Sequence, residues 1–239
     1  MQTDQIDDAE KQQFELFRKK LNQQAAEAQV SKLEYNLANA LTDKATLRNA
    51  CQEANALKLG AICVLPDMVG ACVAYLGKQT KTSVIACISF PHGGDVTKVK
   101  VAAIKNAVKD GADEVEVTVP IAFVKEKNWA YVKREFKKLK VAAKKRAIRI
   151  NIGSEYLTPE EITKICSVAT DCGITALNTV SDADHISCIF TAVKDKCTIK
   201  ADNVASVTDM VTAFGLGAGI IGSRNAVNLA RLVLNEYEI

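Results

Sequence analysis

The residues of this chain that could do chemistry are polar side chains at the ends of short apolar runs. Lys200 lies in "CTIKAD", Glu116 in "DEVEVTV" and Asn178 at the end of "GITALN". A neutral lysine amine is a nucleophile toward carbonyl carbons, and a carboxylate can take part in proton transfer. Lys200 and Glu116 are therefore the candidate catalytic residues. Asn178 raises the question of what an amide does in the same kind of position.

Several other apolar runs end in the same way. Burying charges without partners costs roughly several kcal/mol, so Lys200, Glu116 and Arg149 together indicate a site, present or ancestral. The alternative is that inward-facing polar residues only fill layers of the interior and hydrogen-bond to one another. For Lys200 this alternative would be a structural ion pair with Glu116 or Asp202. The further candidates at the ends of runs are Glu34, Asn36, Cys63, Ser89, Thr118, Asn151, Ser223 and Arg224.

Eight apolar runs, rich in Val, Ile and Leu, must position these residues. Continuous apolar runs are typical of strands that are covered on both faces, as in parallel sheets. Helical patterns lie between them, and the clearest places Trp129, Val132, Phe136 and Leu139 at spacings of three and four. The predicted strands are residues 33–38, 60–66, 83–90, 114–119, 147–153, 176–180, 197–202 and 217–223.

Eight βα units in 239 residues, without a Pro/Gly/Ser-rich linker, predict an α/β protein with a single (β/α)8 barrel domain over residues 1–239. An open doubly wound sheet is the main competitor, but no G-x-G-x-x-G motif follows the first strand. The amphipathic stretch 7–29, within residues 1–30, predicts an extra N-terminal helix that caps the bottom of the barrel. Helix starts are predicted at Thr42, Thr158 and Asp182.

The composition favours a reduced, cytoplasmic protein without a metal site. Eight cysteines form no C-x-x-C pair, and two histidines, His92 and His185, are too few for a Cys/His zinc site. No run approaches 18 uninterrupted apolar residues, and the N-terminus is polar and acidic. The pattern therefore predicts neither a signal peptide nor a membrane span.

Four segments carry a resemblance to a known family: "GAICVLPDMV", "CISFPHGGD", "DGADEVEVTVP" and "TIKAD". In this order and spacing the chain resembles the deoxyribose-phosphate aldolase family from about Leu33 to Leu232. The resemblance implies a (β/α)8 barrel of class I aldolase ancestry, without metal or other cofactor. Members of that family cleave 2-deoxyribose 5-phosphate reversibly to glyceraldehyde 3-phosphate and acetaldehyde through a Schiff base on a lysine.

The same resemblance shows where this chain departs from the family. The family's Schiff-base lysine lies on the sixth strand, and the matching position here is Asn178, whose amide cannot form an iminium. Lys200 matches a second lysine that lowers the pKa of the nucleophile. Glu116 stands where the family has a proton-relay aspartate. A displacement of about 1 Å costs on the order of 100-fold in a positioned site.

The expected phosphate site has also changed. A Gly-Gly pair that approaches the phosphate in the family reads "ADNVAS" here, and a glycine after the sixth strand has become Asp182. Gly222, Ser223 and Arg224 keep a candidate anion site at a helix start. Binding of phosphorylated sugars is therefore expected to be weakened or lost. The residues predicted to line what remains of the ligand site are Cys63, Asn178, Gly222, Ser223 and Arg224.

These departures lead to two hypotheses. The first is a pseudoenzyme that keeps the aldolase fold for binding or regulation without aldol chemistry, since loss of a nucleophile costs on the order of 10⁶ in rate in other covalent enzymes. The second is an active aldolase that cleaves 2-deoxyribose 5-phosphate or a related aldol through Lys200. Burial would then have to depress the pKa of Lys200, because no second lysine lies beside it.

A binding role directs attention to a strongly basic helix. Eight cations and one acid, Glu135, give it a charge of +7 over residues 133–146. Such a face can steer an acidic partner, although a solvated helix face is the simpler interpretation. Nucleic acid is disfavoured because no aromatic side chain is interleaved for base stacking. Aldolase-fold proteins that bind actin filaments make an acidic protein such as actin worth testing, and a homodimer would be ordinary for the family. The predicted partner-binding residues are Lys133, Arg134, Lys137, Lys138, Lys144 and Lys145.

Overall fold

The computed structural model describes residues 22–235 of the chain. Eight parallel strands pair in chain order, β1 through β8, and β8 pairs with β1 to close a barrel. Each strand is four to six residues long, and helices follow the strands on the outside. The strands are β1 Leu33–Asn36, β2 Ala61–Val64, β3 Ser83–Ile88, β4 Glu114–Thr118, β5 Ala147–Asn151, β6 Ala176–Val180, β7 Thr198–Asp202 and β8 Ile220–Ser223.

The outer layer consists of helices that pack their apolar faces on the sheet. Residues 22–30 form the described part of helix α1, which precedes β1. Short 3-10 turns occur at Pro66–Met68, Ser154–Tyr156 and Lys194–Lys196. The helices are α2 Lys44–Leu57, α3 Val69–Leu76, α4 Thr97–Lys109, α5 Ile121–Lys125, α6 Trp129–Ala143, α7 Pro159–Asp171, α8 Ala183–Val193, α9 Val207–Gly215 and α10 Ala226–Asn235.

Side chains alternate between the outside and the inside of the barrel, as the strand period of two requires. On β3, Val84 and Ala86 join the large apolar core between sheet and helices. Ile85 and Cys87 instead join a small apolar cluster with Cys63 inside the barrel. The interior is therefore apolar beside β2 and β3, which leaves the inward positions of the other strands for polar side chains.

The predicted elements match the observed ones closely, with two differences. Several predicted strands are one to three residues too long, as in 60–66 against Ala61–Val64. The predicted cap Thr42 is wrong by one residue: Asp43 caps α2 by accepting from the Thr46 amide. Thr42 is buried and donates its hydroxyl to the Leu37 carbonyl.

The other predicted caps are confirmed. Thr158 forms a capping box with Glu161 at α7, and Asp182 caps α8. Of the predicted N-terminal capping helix, residues 1–21 lie outside the described part of the chain. Within residues 22–235, no helix is long and apolar enough to cross a membrane.

Candidate functional site

The inward positions of four strands, β1, β4, β5 and β7, carry ionisable side chains that meet inside the barrel. The strand register places Glu116 beside Arg149, and Asn178 beside Lys200. Because residues two apart face the same side of a strand, Glu114 and Glu116 both point inward. We call these side chains the interior ion cluster; it consists of Glu34, Glu114, Glu116, Arg149, Lys200 and Asp202.

Lys200 lies at the centre of this cluster and is fully buried. Its Nζ forms ion pairs with Glu34 Oε1, with Glu116 Oε2 at 3.1 Å and with Asp202 Oδ2 at 3.2 Å. Burial alone would lower the pKa of Lys200, but the three carboxylates outweigh it and raise that pKa well above its usual range. Lys200 is therefore a protonated ammonium group at neutral pH.

Arg149 is the second buried cation and joins the cluster from β5. Its Nη1 donates to Glu34 Oε2 at 2.8 Å and to Glu116 Oε2 at 3.2 Å. Its Nη2 donates to Glu114 Oε2 at 3.1 Å. Glu114 begins β4 and, with Arg149, lines a cavity of about 170 Å³ at the end of the barrel where the strands begin. Glu34 and Glu116 are thus shared between Arg149 and Lys200.

Four carboxylates and two cations give the cluster a formal charge of −2. Burial would raise the pKa of Glu34, but Lys200 and Arg149 hold it below its usual value. The pKa of Asp202 is also lowered: burial would raise it, but Lys200 and the hydrogen bond from the Asn203 amide outweigh burial. Burial raises the pKa of Glu114 despite Arg149. Glu34 and Asp202, two of the carboxylates that contact Lys200, thus stay ionised and hold its proton in place.

Asn178 lies on β6 directly beside this cluster. Its Nδ2 donates to Glu116 Oε1 at 2.8 Å and lies 3.5 Å from Asp202 Oδ2. Its Oδ1 is buried and has no hydrogen-bond partner among residues 22–235, and the same holds for Thr118 Oγ1. These two atoms are free to bond water or a small polar ligand near the carboxyl ends of β4 and β6.

The structure separates the residues that were predicted to bind a ligand. Cys63 lies in the apolar cluster of the interior, and its contact with the Cys87 thiol, together with burial, raises the pKa of Cys63 well above its usual value. A Cβ at Gly222 would collide with Lys200 Cε and Asp202 Oδ1. Gly222 is therefore packed against the ion cluster.

The candidate anion site at the start of α10 is largely committed to protein contacts. The Ser223 hydroxyl is buried, donates to the Val204 carbonyl and accepts from the Asn225 amide at 3.0 Å. Arg224 is exposed and is the remaining cation there. At the start of α8, Asp182 accepts from the Asp184 and His185 amides at 3.0 Å. The amides that an anion would need at that helix are thus already bonded.

The basic helix α6 divides into two faces. On one face Lys133 pairs with Asp171 at 3.0 Å, and Lys140 donates to the Cys172 and Gly173 carbonyls at the end of α7. Arg146, beyond the helix, pairs with Asp113. Arg134 lies over the Tyr131 ring, 5.5 Å from its centroid. The exposed lysines that form no ion pair with another described residue are Lys137, Lys138, Lys144 and Lys145.

The acid of that helix, Glu135, is not part of its exposed face. Glu135 is buried and pairs with the fully buried Lys100 of α4 at 3.0 Å. Lys100 Nζ also donates to the Thr118 carbonyl at 3.1 Å, and Thr97 Oγ1 donates to Glu135 Oε1 at 2.9 Å. Burial lowers the pKa of Lys100, which Glu135 only partly offsets. This second buried pair lies between α4, α6 and the sheet.

The alternative considered for Lys200, a structural ion pair with Glu116 or Asp202, is confirmed, because Lys200 contacts both carboxylates. The ion pairs of Arg149 with Glu34 and of Lys100 with Glu135 were not visible in the sequence. The alternation of β4, β5 and β7 predicted that Glu116, Arg149 and Lys200 point inward, which the ion cluster confirms. Lys100 gave no such signal beyond its place among the apolar residues of α4. Within residues 22–235, no group of three or more His, Cys, Asp or Glu side chains is placed to hold a metal ion.

Comparisons with known proteins give a consistent picture. The family model described as DeoC/LacD family aldolase matches residues 21–215. A deoxyribose-phosphate aldolase of Mycoplasma capricolum subsp. capricolum is 25% identical over 205 residues, or 82% of this chain and 92% of that protein. One from Finegoldia magna is 26% identical over 209 residues, or 82% of this chain and 96% of that protein.

Solved structures share the fold. A putative deoxyribose-phosphate aldolase from Coccidioides immitis superposes with a TM-score of 0.83 at 21% identity, covering 90% of this chain and 87% of that one. An aldolase named QR15 has the same TM-score and identity and covers 87% of this chain and 97% of that one. At this level of identity the likeness concerns the barrel itself.

Proposed function

Because the chain belongs to the DeoC/LacD family of aldolases, we propose that it is a pseudoenzyme of that family, which has lost aldolase activity and acts by binding a partner protein. The observation that carries the proposal is the state of Lys200. It is the lysine on the inward face of β7, and three carboxylates surround its amine in a fully buried position.

A Schiff base requires a neutral amine with an open path to a carbonyl carbon. Lys200 offers neither, since its pKa is raised and its Nζ is surrounded by Glu34, Glu116 and Asp202. Depressing the pKa of a buried lysine normally needs desolvation without compensating carboxylates, or a neighbouring cation. The alternative function, an active lyase that uses Lys200 as nucleophile, is therefore disfavoured.

Asn178 supports the same proposal from the neighbouring strand. Our interpretation places it where the family's Schiff-base lysine would stand, and its amide is delocalised and not nucleophilic. Instead, Asn178 donates to Glu116, the other candidate catalytic residue. Glu116 is also bonded by Lys200 and Arg149, so each of its acceptor oxygens is already in use. The side chains that would form an aldolase site thus bond to one another instead of to a substrate.

In place of catalysis we propose that the outer surface binds an acidic protein, of which actin is one candidate. The exposed lysines of α6 support this role, since a concentrated positive face steers acidic partners. We further propose a cytoplasmic location, which suits eight cysteines that are all free thiols in the structure.

Trapping with borohydride tests the loss of chemistry. The protein is incubated with 2-deoxyribose 5-phosphate, or with acetaldehyde, then reduced, digested and mapped by mass spectrometry. We expect acetaldehyde to label exposed lysines such as Lys137 and Lys138 but not Lys200, because only a neutral, accessible amine forms an iminium. An active deoxyribose-phosphate aldolase treated in parallel provides the positive control.

The Lys200→Arg variant is the matched control, because arginine keeps the positive charge of the cluster and cannot form a Schiff base. Label that is present in the wild type and absent from Lys200→Arg belongs to Lys200. Such label, formed with 2-deoxyribose 5-phosphate, would overturn the proposal and identify an aldolase with Lys200 as its nucleophile. Identical label maps of the two proteins would support a barrel without aldol chemistry.

A further inference from the structure

A groove runs between α4 and α6 on the outer surface of the barrel and encloses about 480 Å³. We call it the α4–α6 groove. It was not apparent in the sequence, because its two walls are about 35 residues apart along the chain. The residues that matter for its chemistry are Lys98, Val101 and Lys105 on α4 and Lys137, Lys138 and Val141 on α6.

The groove has an apolar seam. Val141 is 79% exposed, which places it among the most exposed large apolar side chains of the described residues. Val101 is half-buried on the facing helix and packs against the core beneath. An apolar strip of this kind gains free energy when a partner covers it, at about 25 cal/mol per Å². The seam alone does not identify the partner.

The charges around the seam are all of one sign. Four lysines line the groove and no acidic residue does. None of these lysines forms an ion pair with another residue in the range 22–235. The acid of α6, Glu135, is turned away and neutralised by Lys100. Lys133 and Lys140 are engaged at α7, so the unpaired positive charge of this face is concentrated on the groove.

The spacing of these residues suits a helical partner. Lys98, Val101 and Lys105 follow one another at i, i+3 and i+7, so they lie on one face of α4. The two lysines are seven residues apart, or about 10 Å along the helix axis. A partner helix with an apolar stripe and acidic residues at similar intervals would place its stripe on the seam and its carboxylates beside the lysines.

We propose that the α4–α6 groove is a docking site for an acidic amphipathic helix of a partner protein. The proposal rests on the binding role proposed above and specifies where and what this fold binds. Complementary charge selects the partner and speeds its encounter, while the apolar seam supplies contact area. Nucleic acid is a poorer match, because no aromatic residue lines the groove for base stacking.

Fluorescence anisotropy with a designed peptide tests the proposal on the full-length protein. The peptide is a labelled 18-residue helix with leucines on one face and glutamates on both flanks; a second peptide has the same composition in scrambled order. We expect saturable binding of the first peptide and at least about tenfold weaker binding of the second, since only the first presents a continuous stripe.

Two pairs of charge reversals locate the binding. We expect Lys137→Glu/Lys138→Glu to weaken the binding by about tenfold or more, and Val141→Asp to do so as well. Lys78→Glu/Lys81→Glu changes the net charge by the same amount on the exposed loop between α3 and β3, outside the groove, and is expected to weaken binding less than about threefold. All of these positions are exposed, so the variants are expected to fold.

Four results would overturn the proposal. The first three are no binding of the amphipathic peptide, equally tight binding of the scrambled peptide, and equal losses of peptide affinity in the two charge-reversal pairs. The fourth result is displacement of the amphipathic peptide by single-stranded RNA or anionic vesicles that bind the groove more tightly. These results are independent of Lys200. If Lys200 is trapped but the peptide still binds the groove, the proposed loss of catalysis fails and the docking site stands. If Lys200 is not trapped and the peptide does not bind, only the docking site fails.

Discussion

Two fully buried lysines of this protein behave in opposite ways. Lys200, inside the barrel, contacts three carboxylates, and its pKa is raised well above the usual range. Lys100, between α4 and α6, contacts one carboxylate, and its pKa is lowered. Both lose their water, so the difference comes from the number of carboxylates. At Lys100 the contact with Glu135 and the more distant charge of Asp95 do not outweigh burial, whereas three contacting carboxylates do so at Lys200.

The comparison shows why the candidate nucleophile is the less reactive of the two amines. A buried lysine is usually a candidate functional residue, because desolvation depresses its pKa. Here Lys200, the candidate nucleophile, is the one held as a cation, and the lysine with a depressed pKa, Lys100, lies outside the barrel. Lys100 is itself closed off by Glu135 and the Thr118 carbonyl. Burial of a lysine alone is thus a poor guide to catalysis.

The largest expected effect comes from Lys200→Met. The change leaves Glu34, Glu116 and Asp202 buried with Arg149 as their only cation among the described residues, and should cost about 3–5 kcal/mol of unfolding free energy. Urea denaturation followed by circular dichroism measures it. The exposed Lys105→Met is the control and is expected to change stability by less than about 0.5 kcal/mol. A loss below about 1 kcal/mol for Lys200→Met would contradict the comparison.

Lys100→Met should cost somewhat less, about 2–4 kcal/mol, because only Glu135 loses its cation. The double variant Lys100→Met/Glu135→Leu should recover most of this loss, since both charges leave together and an apolar pair fills the space. The double variant Lys200→Met/Glu116→Leu should not recover the lost stability, because two of the three carboxylates that contact Lys200, Glu34 and Asp202, remain buried. Urea denaturation midpoints of the two single variants and the two double variants test this difference. Equal recovery in both doubles would show that the two lysines do not differ as described.

The smallest effect concerns acid stability. Glu34 and Asp202 have lowered pKa values in the fold, so their stabilisation is present above the unfolded values of 4.5 and 3.8 and is lost as the pH falls through the folded values. We expect unfolding free energy to decline below about pH 4, by about 1.4 kcal/mol per pH unit for each proton taken up on unfolding. Glu114, whose pKa is raised, acts in the opposite direction above 4.5.

Asp202→Asn sharpens that measurement. The slope of unfolding free energy against pH should decrease by about 1.4 kcal/mol per pH unit, which is the contribution of one proton, because Asp202 no longer titrates. The surface change Glu160→Gln, at an exposed position in the first turn of α7, provides the control and should leave the slope close to that of the wild type. A slope that is unchanged in Asp202→Asn would show that Asp202 takes its proton at the same pH in the folded and unfolded chain.

The barrel could be predicted from the sequence because both determinants are local. Apolar runs mark the strands, and the capping residues Thr158 and Asp182 mark two helix starts. The exact ends were less predictable, since they depend on hydrogen bonds between strands. At α2, Thr42 and Asp43 can both cap, and the structure uses Asp43 because Thr42 bonds the Leu37 carbonyl instead.

The candidate site could be predicted only in part. Strand alternation placed Glu116, Arg149 and Lys200 inward and suggested Glu116 or Asp202 as partners of Lys200, but it could not show that Glu34 and Glu114 would meet Arg149. Glu34 and Arg149 are 115 residues apart along the chain. The charge of the basic helix could not be assigned fully for the same reason: Glu135 was subtracted from its cations, but the structure pairs Glu135 with Lys100, 35 residues earlier in the chain. Pairings between distant segments are set by the closed barrel and its helices.

Gly222 changes how sequences of this kind should be interpreted. A side chain there would occupy the space of Lys200 Cε and Asp202, so packing alone explains why a glycine stands at this position. Lys200 is likewise explained by the three carboxylates that it neutralises. The presence of these two residues is therefore not by itself evidence of catalysis in this chain. In this barrel the packing of the interior accounts for both residues, and under the proposed function the position that reports on catalysis is 178.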